Sequence, residues 1–331
     1  FKSDDVTKVV IEAMQSEKAQ PSLTLTKDGD HFVVTSADNF KAKDESVKEM
    51  LDQIIAIQIE KDNPIATSKA NHSKLGVASD SFDRKVTLTA NGKETTLYLG
   101  RGSRSSATVR IDGSDNVFDA PRLSVWNINS KVSNYIDTEY VSADESNLTE
   151  VSVKNSKGTL NFVKQGDKWT DPSISSPLLT ETDSEAGTDS EQAGEQKLDE
   201  AEVKRFIGKI SNITIDEPVG KTSKPEYGLD KGTTVTLKSK KDDKPFTITY
   251  NIGEKAENDR YIKSSDSEYV IKASSYQVED ATTKTQSDFL KKPGDENEPD
   301  QDNQQDMQQQ MMQQQQLQQL MQQQQMQQQM Q

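Results

Sequence analysis

The feature that most constrains this chain is that it resembles itself. Val47-Lys-Glu-Met-Leu-Asp-Gln-Ile-Ile-Ala-Ile-Gln-Ile59 aligns without gaps on Val203-Lys-Arg-Phe-Ile-Gly-Lys-Ile-Ser-Asn-Ile-Thr-Ile215. Upstream, Leu23–Phe32 matches Leu160–Trp169, and Val6–Glu12 matches Leu148–Lys154. Downstream, Leu75-Gly76-Val77 matches Tyr227-Gly228-Leu229, and Val86–Leu88 matches Val235–Leu237. Leu99-Gly100 then matches Ile252-Gly253, and Thr108–Arg110 matches Tyr261–Lys263. An ordered series of matched blocks is the signature of a repeated unit. The expected organisation is a first repeat over 4–141, a second over 146–290, and a tail over 291–331.

Each repeat reads as α+β. Val9 and Ile11, like Val151 and Val153, alternate with polar neighbours as a half-buried strand does. A Lys-x-Gly-Asp turn follows in each copy, with Gly29 or Gly166 where positive φ is easiest, and an aromatic, Phe32 or Trp169, comes next. Val47, Met50, Leu51, Ile54 and Ile55 then share one face of a helix, as do Val203, Phe206, Ile207 and Ile210. Asp199 and Glu200 suit the positive end of the second helix. Beyond the helix the period drops to two, over Val86–Leu88, Thr96–Leu99, Val109–Ile111 and Asn116–Phe118. The second copy does the same over Val235–Leu237, Phe246–Ile252, Tyr261–Lys263 and Tyr269–Lys272. The expected fold is an antiparallel sheet with a β-hairpin and one amphipathic helix packed on it, made twice.

Two segments stand outside that frame. The second copy carries an insertion, Thr180–Gln196, with six acids, no base and no large apolar residue, expected to be a disordered loop. From Met307 to Gln331 the chain is 17 Gln, 6 Met and 2 Leu, whose apolar residues keep neither a helical stripe nor a heptad phase. A flexible low-complexity tail is expected; glutamine-mediated self-association is the sharper alternative.

Composition narrows function mostly by exclusion. The net charge is -15 with mean hydropathy -0.87, which disfavours nucleic acid and a polybasic membrane anchor. There is no cysteine, and only His31 and His72 could serve histidine chemistry. Neither has a histidine at the matching place, where Lys168 and Lys224 stand, and both are expected to be exposed loop residues. Asp112-Gly-Ser-Asp-Asn116 and Asp295–Asp302 are the candidates for calcium, but the EF-hand spacing is absent and Asp112-Gly113 reads equally as a tight turn. Arg101, Arg104, Arg110 and Arg122 concentrate positive charge in the first meander, where solvated strand-edge charges are the expected reading and anion binding the alternative. Gly100-Arg-Gly102 is followed by a strand and so lacks a phosphate-cradling helix. The sequons at Asn71, Asn147 and Asn212 are discounted, Asn212 because a glycan there would disturb packing. No run approaches the roughly 18–20 apolar residues of a membrane span. The opening Phe1 leads us to expect a processed or truncated N-terminus.

The ordered set of blocks resembles the bacterial domain-of-unknown-function family 4340. In the first copy the resemblance rests on Asn63-Pro64, Asn71-His72, Leu75-Gly76-Val77, Leu99-Gly100, Thr108–Arg110 and Asn116–Phe118. In the second it rests on Lys224–Asp230, Ile252-Gly253, Tyr261–Lys263 and Tyr269–Ile271. Phe32 and Trp169 also fit, and the resemblance spans roughly Asp4–Leu290. It implies a protein held outside the cytoplasmic membrane by an N-terminal anchor that this chain lacks. It also implies protein partners in the cell envelope, among them ABC-type transport or gliding-motility components. It supplies no catalytic, cofactor-binding or metal residues. The expected function is therefore a non-catalytic envelope scaffold or interaction protein without a cofactor. A self-associating subunit of a surface fibre or matrix and a carboxylate-dependent hydrolase are the alternatives.

Overall fold

The computed structural model describes residues 2–15, 18–19, 22–102, 106–174, 197–241 and 244–291. The insertion at 180–196, the calcium candidate at 295–302, Arg104 and all of the tail beyond Lys291 lie outside the described residues. The fold is α+β, with three α-helices and antiparallel sheets among the described residues.

The first sheet is built from β1 (Val6–Gln15), β2 (Lys18–Ala19), β3 (Leu23–Asp28), β4 (His31–Val34) and β5 (Phe40–Lys41). Helix α1 (Asp44–Ile55) follows, then β6 (Arg84–Ala90), β7 (Lys93–Arg101), β8 (Ser106–Ile111) and β9 (Val117–Pro121). A short β10 (Glu139–Ser142) leads to the second sheet, which opens with β11 (Leu148–Asn155), β12 (Gly158–Gln165) and β13 (Lys168–Thr170). Helix α2 (Glu200–Ser211), β14 (Asn212–Thr214) and β15 (Glu217–Gly220) come next. The chain then forms β16 (Thr233–Lys241), β17 (Lys244–Ala256), β18 (Asp259–Ser264), β19 (Val270–Ser274) and helix α3 (Ser275–Thr283). The first sheet runs β5-β4-β3-β1-β6-β7-β8-β9, with β2 paired to β1, and the second β13-β12-β11-β16-β17-β18-β19-β15.

Apart from β2 and β5 in the first sheet and β15 in the second, strand order agrees, and so do the registers at matched positions. Val9 faces Leu25 on one side and Leu88 on the other, while Val151 faces Phe162 and Leu237. Leu99–Val109 and Val109–Phe118 correspond to Ile252–Ile262 and Ile262–Ile271. Even a bulge recurs, between Val6 and Lys8 in β1 and between Leu148 and Glu150 in β11, where one extra residue bends the strand. The hairpin glycines Gly29 and Gly166 share a φ of 61°, as their Lys-x-Gly-Asp turns predict.

Each helix buries the stripe read from its sequence: Val47, Met50, Leu51 and Ile54 in α1, and Val203, Phe206, Ile207 and Ile210 in α2. Burying such a side chain stabilises the fold by about 1.5–3 kcal/mol, which a 12-residue helix needs because its own hydrogen bonds leave it marginal. Both helices are entered through a single bridge to a later segment, Ala42 to Ile136 and Leu198 to Leu290. Asp199 caps α2 by accepting from the Glu202 amide at 3.0 Å.

The matched glycines have a steric cause. A Cβ on Gly100 would stand 1.9 Å from the Leu75 carbonyl oxygen, and one on Gly253 would stand 2.0 Å from that of Tyr227. In both places a loop lies directly on the sheet and folds a small apolar cluster over its second face: Val77, Tyr98 and Val117 in one, Tyr227, Leu229 and Val270 in the other.

Two expectations need correction. The second sheet carries a second helix, α3, whose buried apolar positions are Val278 and Ala281; so small a stripe leaves little periodic signal. Between the two sheets β10 pairs with β14, and Val141, Ile213 and Ile215 belong to one connected core. Asn212 is exposed just beyond α2, so packing gives no reason to discount its sequon.

Candidate binding cleft at the junction of the two sheets

The segment after β9 and the helix after β19 occupy corresponding places in the chain but differ in form. Residues 122–137 run irregularly through two 3-10 turns, anchored by buried Leu123, Val125, Ile128, Tyr135 and Ile136. The Tyr135 hydroxyl donates to the Asn129 carbonyl at 2.9 Å and accepts from the Asn129 amide at 3.2 Å; burial pushes its pKa up to about 12. Between those anchors Trp126 is turned outward and is 60% exposed.

Trp126 stands at a cleft of about 640 Å³ whose walls come from both sheets. On the first-sheet wall, the Arg84 Nε donates to the Ile128 carbonyl at 2.7 Å and its Nη1 to that of Asp83 at 2.7 Å. Burial lowers the Arg84 pKa from its ordinary value, yet a guanidinium keeps its charge in proteins. Arg101 meets Asp83 through Nε–Oδ1 at 3.2 Å, and its guanidinium lies 5.0 Å from the Trp126 ring centre, with that of Arg84 at 5.9 Å. Such contacts favour a cation over an aromatic face.

The opposite wall is acidic, with Asp216, Glu217 and Asp259. Two of these carboxylates are engaged: Glu217 with Lys272 at 2.7 Å, and Asp216 with the Ser274 amide at 2.8 Å. Burial, then the neighbouring Asp216 and Glu217, raise the Asp259 pKa above its ordinary value, against the pull of Lys272 and Lys131. Lys131 and Val132 also line the cleft.

The junction is fastened beside this cleft. Tyr140, half-buried on β10, donates its hydroxyl to the Tyr269 carbonyl at 2.6 Å and accepts from the Ser264 amide at 2.9 Å. Asp38 accepts from the Lys221 amide at 2.8 Å, and the Phe40 and Tyr269 rings meet edge to face at 4.7 Å. Asp38 and Asn39 hold φ values of 50° and 61°, a conformation that costs most residues energy and that Asp and Asn tolerate best.

The residues singled out from sequence are scattered. His31 is exposed as expected and pairs with Asp44 at the start of α1. Desolvation raises the Asp44 pKa, but the hydrogen bonds from His31 and the Phe32 amide outweigh it and hold the carboxyl below its ordinary value. His72 contradicts expectation: it is 3% exposed, with Nε2 2.9 Å from the Asp115 carbonyl, because the loop around Gly76 folds back onto the sheet. Arg110 is likewise buried rather than solvated. Its Nε donates to the Val77 carbonyl at 2.7 Å, and its guanidinium lies 4.2 Å from the Tyr98 ring centre. Arg122 is exposed and Arg101 reaches the cleft. Asp112-Gly113 forms a turn with Gly113 at φ 79°, and no group of acids and histidines that could hold a metal occurs among the described residues. No helix among the described residues is long and apolar enough to cross a membrane.

The cleft residues Arg84, Trp126, Asp216 and Asp259 were not singled out by sequence. The available signal was dissimilarity: Ser124-Val-Trp-Asn-Ile-Asn-Ser130 belongs to none of the matched blocks, and Arg84 opens β6, two residues before the matched Val86–Leu88, where Thr233 opens β16.

No curated protein and no solved structure matches the chain. One family, described as a domain of unknown function, DUF4340, matches residues 33–232, from the first hairpin across the junction to the loop before β16. The chain belongs to the DUF4340 family.

Proposed function

We propose that the chain is two copies of one α+β unit. In this reading it serves as a non-catalytic interaction protein of the cell envelope, with the junction cleft as its contact surface. The observation that carries the reading is the cleft itself: Arg84, Arg101 and Trp126 face outward from an anchored wall and have no equivalents in the second sheet, where Thr233, Glu254 and helix α3 stand. An exposed tryptophan flanked by arginines is the composition of an interaction hot spot. The envelope setting, with transport or motility components as partners, rests on what the family resemblance implies. A photo-crosslinking residue in place of Trp126, in cells carrying the full protein, tests both parts. Adducts to envelope proteins are expected; adducts confined to cytosolic proteins overturn the reading.

One observation favours a second reading, a carboxylate-dependent hydrolase: Asp259, whose pKa is raised by burial and the neighbouring Asp216, shares the cleft with that second carboxylate, and two carboxylates in one cleft are what acid–base chemistry uses. Hydrolysis of a peptide or glycan substrate that disappears in Asp259→Asn, with crosslinking at position 126 unchanged, would favour it over the first.

A further inference from the structure

The cleft is electrically polar across its width. The first-sheet wall holds Arg84 and Arg101 against a single neighbouring carboxylate, Asp83, so positive charge is left over. Arg84 gives its Nε and Nη1 to backbone carbonyls, which are neutral; its charge is half-buried, and among the described residues no carboxylate is bonded to it. Arg101 commits only its Nε and keeps a side chain that is 63% exposed. The second-sheet wall holds Asp216, Glu217 and Asp259 against Lys272, and Lys131 also acts on Asp259 from the cleft lining, so three carboxylates meet two lysines and one negative charge is left over there. Among the described residues the Asp259 carboxylate has no hydrogen bond or ion pair, unlike those of its two neighbours.

Partly desolvated charges of this kind cost free energy unless a ligand completes them. A purely anionic ligand would satisfy the arginines and be repelled by the far wall; a purely cationic one would meet the reverse. A molecule carrying both signs, aligned with the cleft, satisfies each wall at once. Guanidinium groups bind carboxylates through paired N–H donors, and the Trp126 face offers an apolar platform between. A volume of about 640 Å³ suits a ligand of several residues. The free edge of β15 contributes Pro218, which has no amide to donate, so side chains rather than added-strand pairing would hold the ligand.

We infer that the cleft binds a short zwitterionic peptide segment of a partner protein, its acidic side chain on Arg84 and Arg101, its basic side chain on Asp259, and its middle against Trp126. This rests on the junction cleft being the contact surface. A peptide is favoured over a zwitterionic lipid headgroup because lipid docking needs a group of exposed apolar side chains, and Trp126 is the only exposed large apolar residue that the cleft wall offers among the described residues.

The chain supplies its own reporter. It has two tryptophans, and Trp169 is 6% exposed in the second core, so ligand-dependent change in indole fluorescence reports Trp126. The full protein is titrated with three end-blocked tetrapeptide pools, Asp-Xaa-Xaa-Lys, Asp-Xaa-Xaa-Asp and Lys-Xaa-Xaa-Lys, and with phosphatidylethanolamine vesicles. The expected result is a saturable blue shift with the mixed-charge pool alone, its affinity at least tenfold weaker in both Arg101→Gln and Asp259→Asn. Both side chains are exposed or half-exposed, so these variants should keep the fold. Equal binding of the all-acidic pool, no effect of Asp259→Asn, a response to vesicles but not to the mixed-charge pool, or no shift with any probe would each overturn the inference. Persistence of crosslinks at position 126 in those cases leaves the contact-surface reading standing and removes only the ligand chemistry.

Discussion

The two sheets differ less in their frames than in what is hung on them. The order and register of seven strands, the first-strand bulge, the hairpin glycines and the loop-on-sheet glycines agree, whereas the edge strands β5 and β15 and the segments after the last strands differ. After β19 the chain forms α3, whose Lys209–Asp280 contact at 3.2 Å and Asn155 bonds to the Ala281 and Lys284 carbonyls close the second unit. After β9 it stays irregular, buries five apolar side chains and turns Trp126 out. The second core is also more aromatic: Phe162, Phe206 and Phe289 meet edge to face at 4.9–6.1 Å, and Tyr250 donates to the last turn of α2 through the Ile210 carbonyl at 2.7 Å.

That contrast can be broken most forcefully at the matched glycines. Gly100→Ala and Gly253→Ala each place a methyl group about 2 Å from a carbonyl oxygen, and each should cost more than about 4 kcal/mol in chemical denaturation or prevent folding. Tolerance of either one would mean that the two loop contacts are not equivalent. Next come the helix stripes. Leu51→Ala and Ile207→Ala occupy 1% exposed positions and should each cost about 2–5 kcal/mol by urea denaturation. A tenth of that in one unit alone would show that its helix is dispensable.

The junction should respond more modestly. Tyr140→Phe removes a donor from the Tyr269 carbonyl and an acceptor from the Ser264 amide, a loss of about 1–3 kcal/mol. A variant as stable as the parent would place the fastening of the two sheets elsewhere.

The smallest effects are opposite in sign. The Asp259 carboxyl has a raised pKa in the folded chain, so its ionisation opposes folding as pH rises through the carboxylate range. Asp259→Asn should stabilise the chain at neutral pH by less than about 1 kcal/mol, a gain that vanishes once the unfolded chain's carboxyl, near 3.9, is also protonated. Asp44 has a lowered pKa, so its contribution is present at neutral pH and lost as pH falls through its folded value. Asp44→Asn should therefore destabilise at pH 7 and match the parent in acid. Thermal melts across pH 3–7 read both slopes; parallel slopes would contradict the local electrostatics of the two units.

The strands, hairpins and two of the three helices were legible because their signals are local. Alternation at Val9 and Ile11 and the stripe from Val47 to Ile54 each report burial against a neighbour that the pattern itself implies. His72 and Arg110 were misread because a second layer, the loop through Gly76, covers the outer face of β8. Both look polar and solvated until that layer is placed. Residues 57–66 gave no clear element, yet Ala66 bridges Val117 where β15 pairs with β19 in the other sheet. The cleft was least legible of all, since Arg84, Trp126 and Asp259 come together only through the packing of the two sheets.

The equivalence of the two frames can be measured directly by cross-strand disulfides, because the chain has no cysteine of its own. Thr87 faces Thr96 across β6 and β7, with hydroxyls 3.0 Å apart, and Thr236 faces Thr249 across β16 and β17. Facing positions in an antiparallel pair fall within disulfide reach. Oxidation of the Thr87→Cys/Thr96→Cys and Thr236→Cys/Thr249→Cys variants should close both bridges, while controls shifted by one residue, Thr87→Cys/Thr95→Cys and Thr236→Cys/Ile248→Cys, should stay reduced. A bridge that closes in one sheet and not in the other, or closes better in the shifted control, would contradict a shared frame.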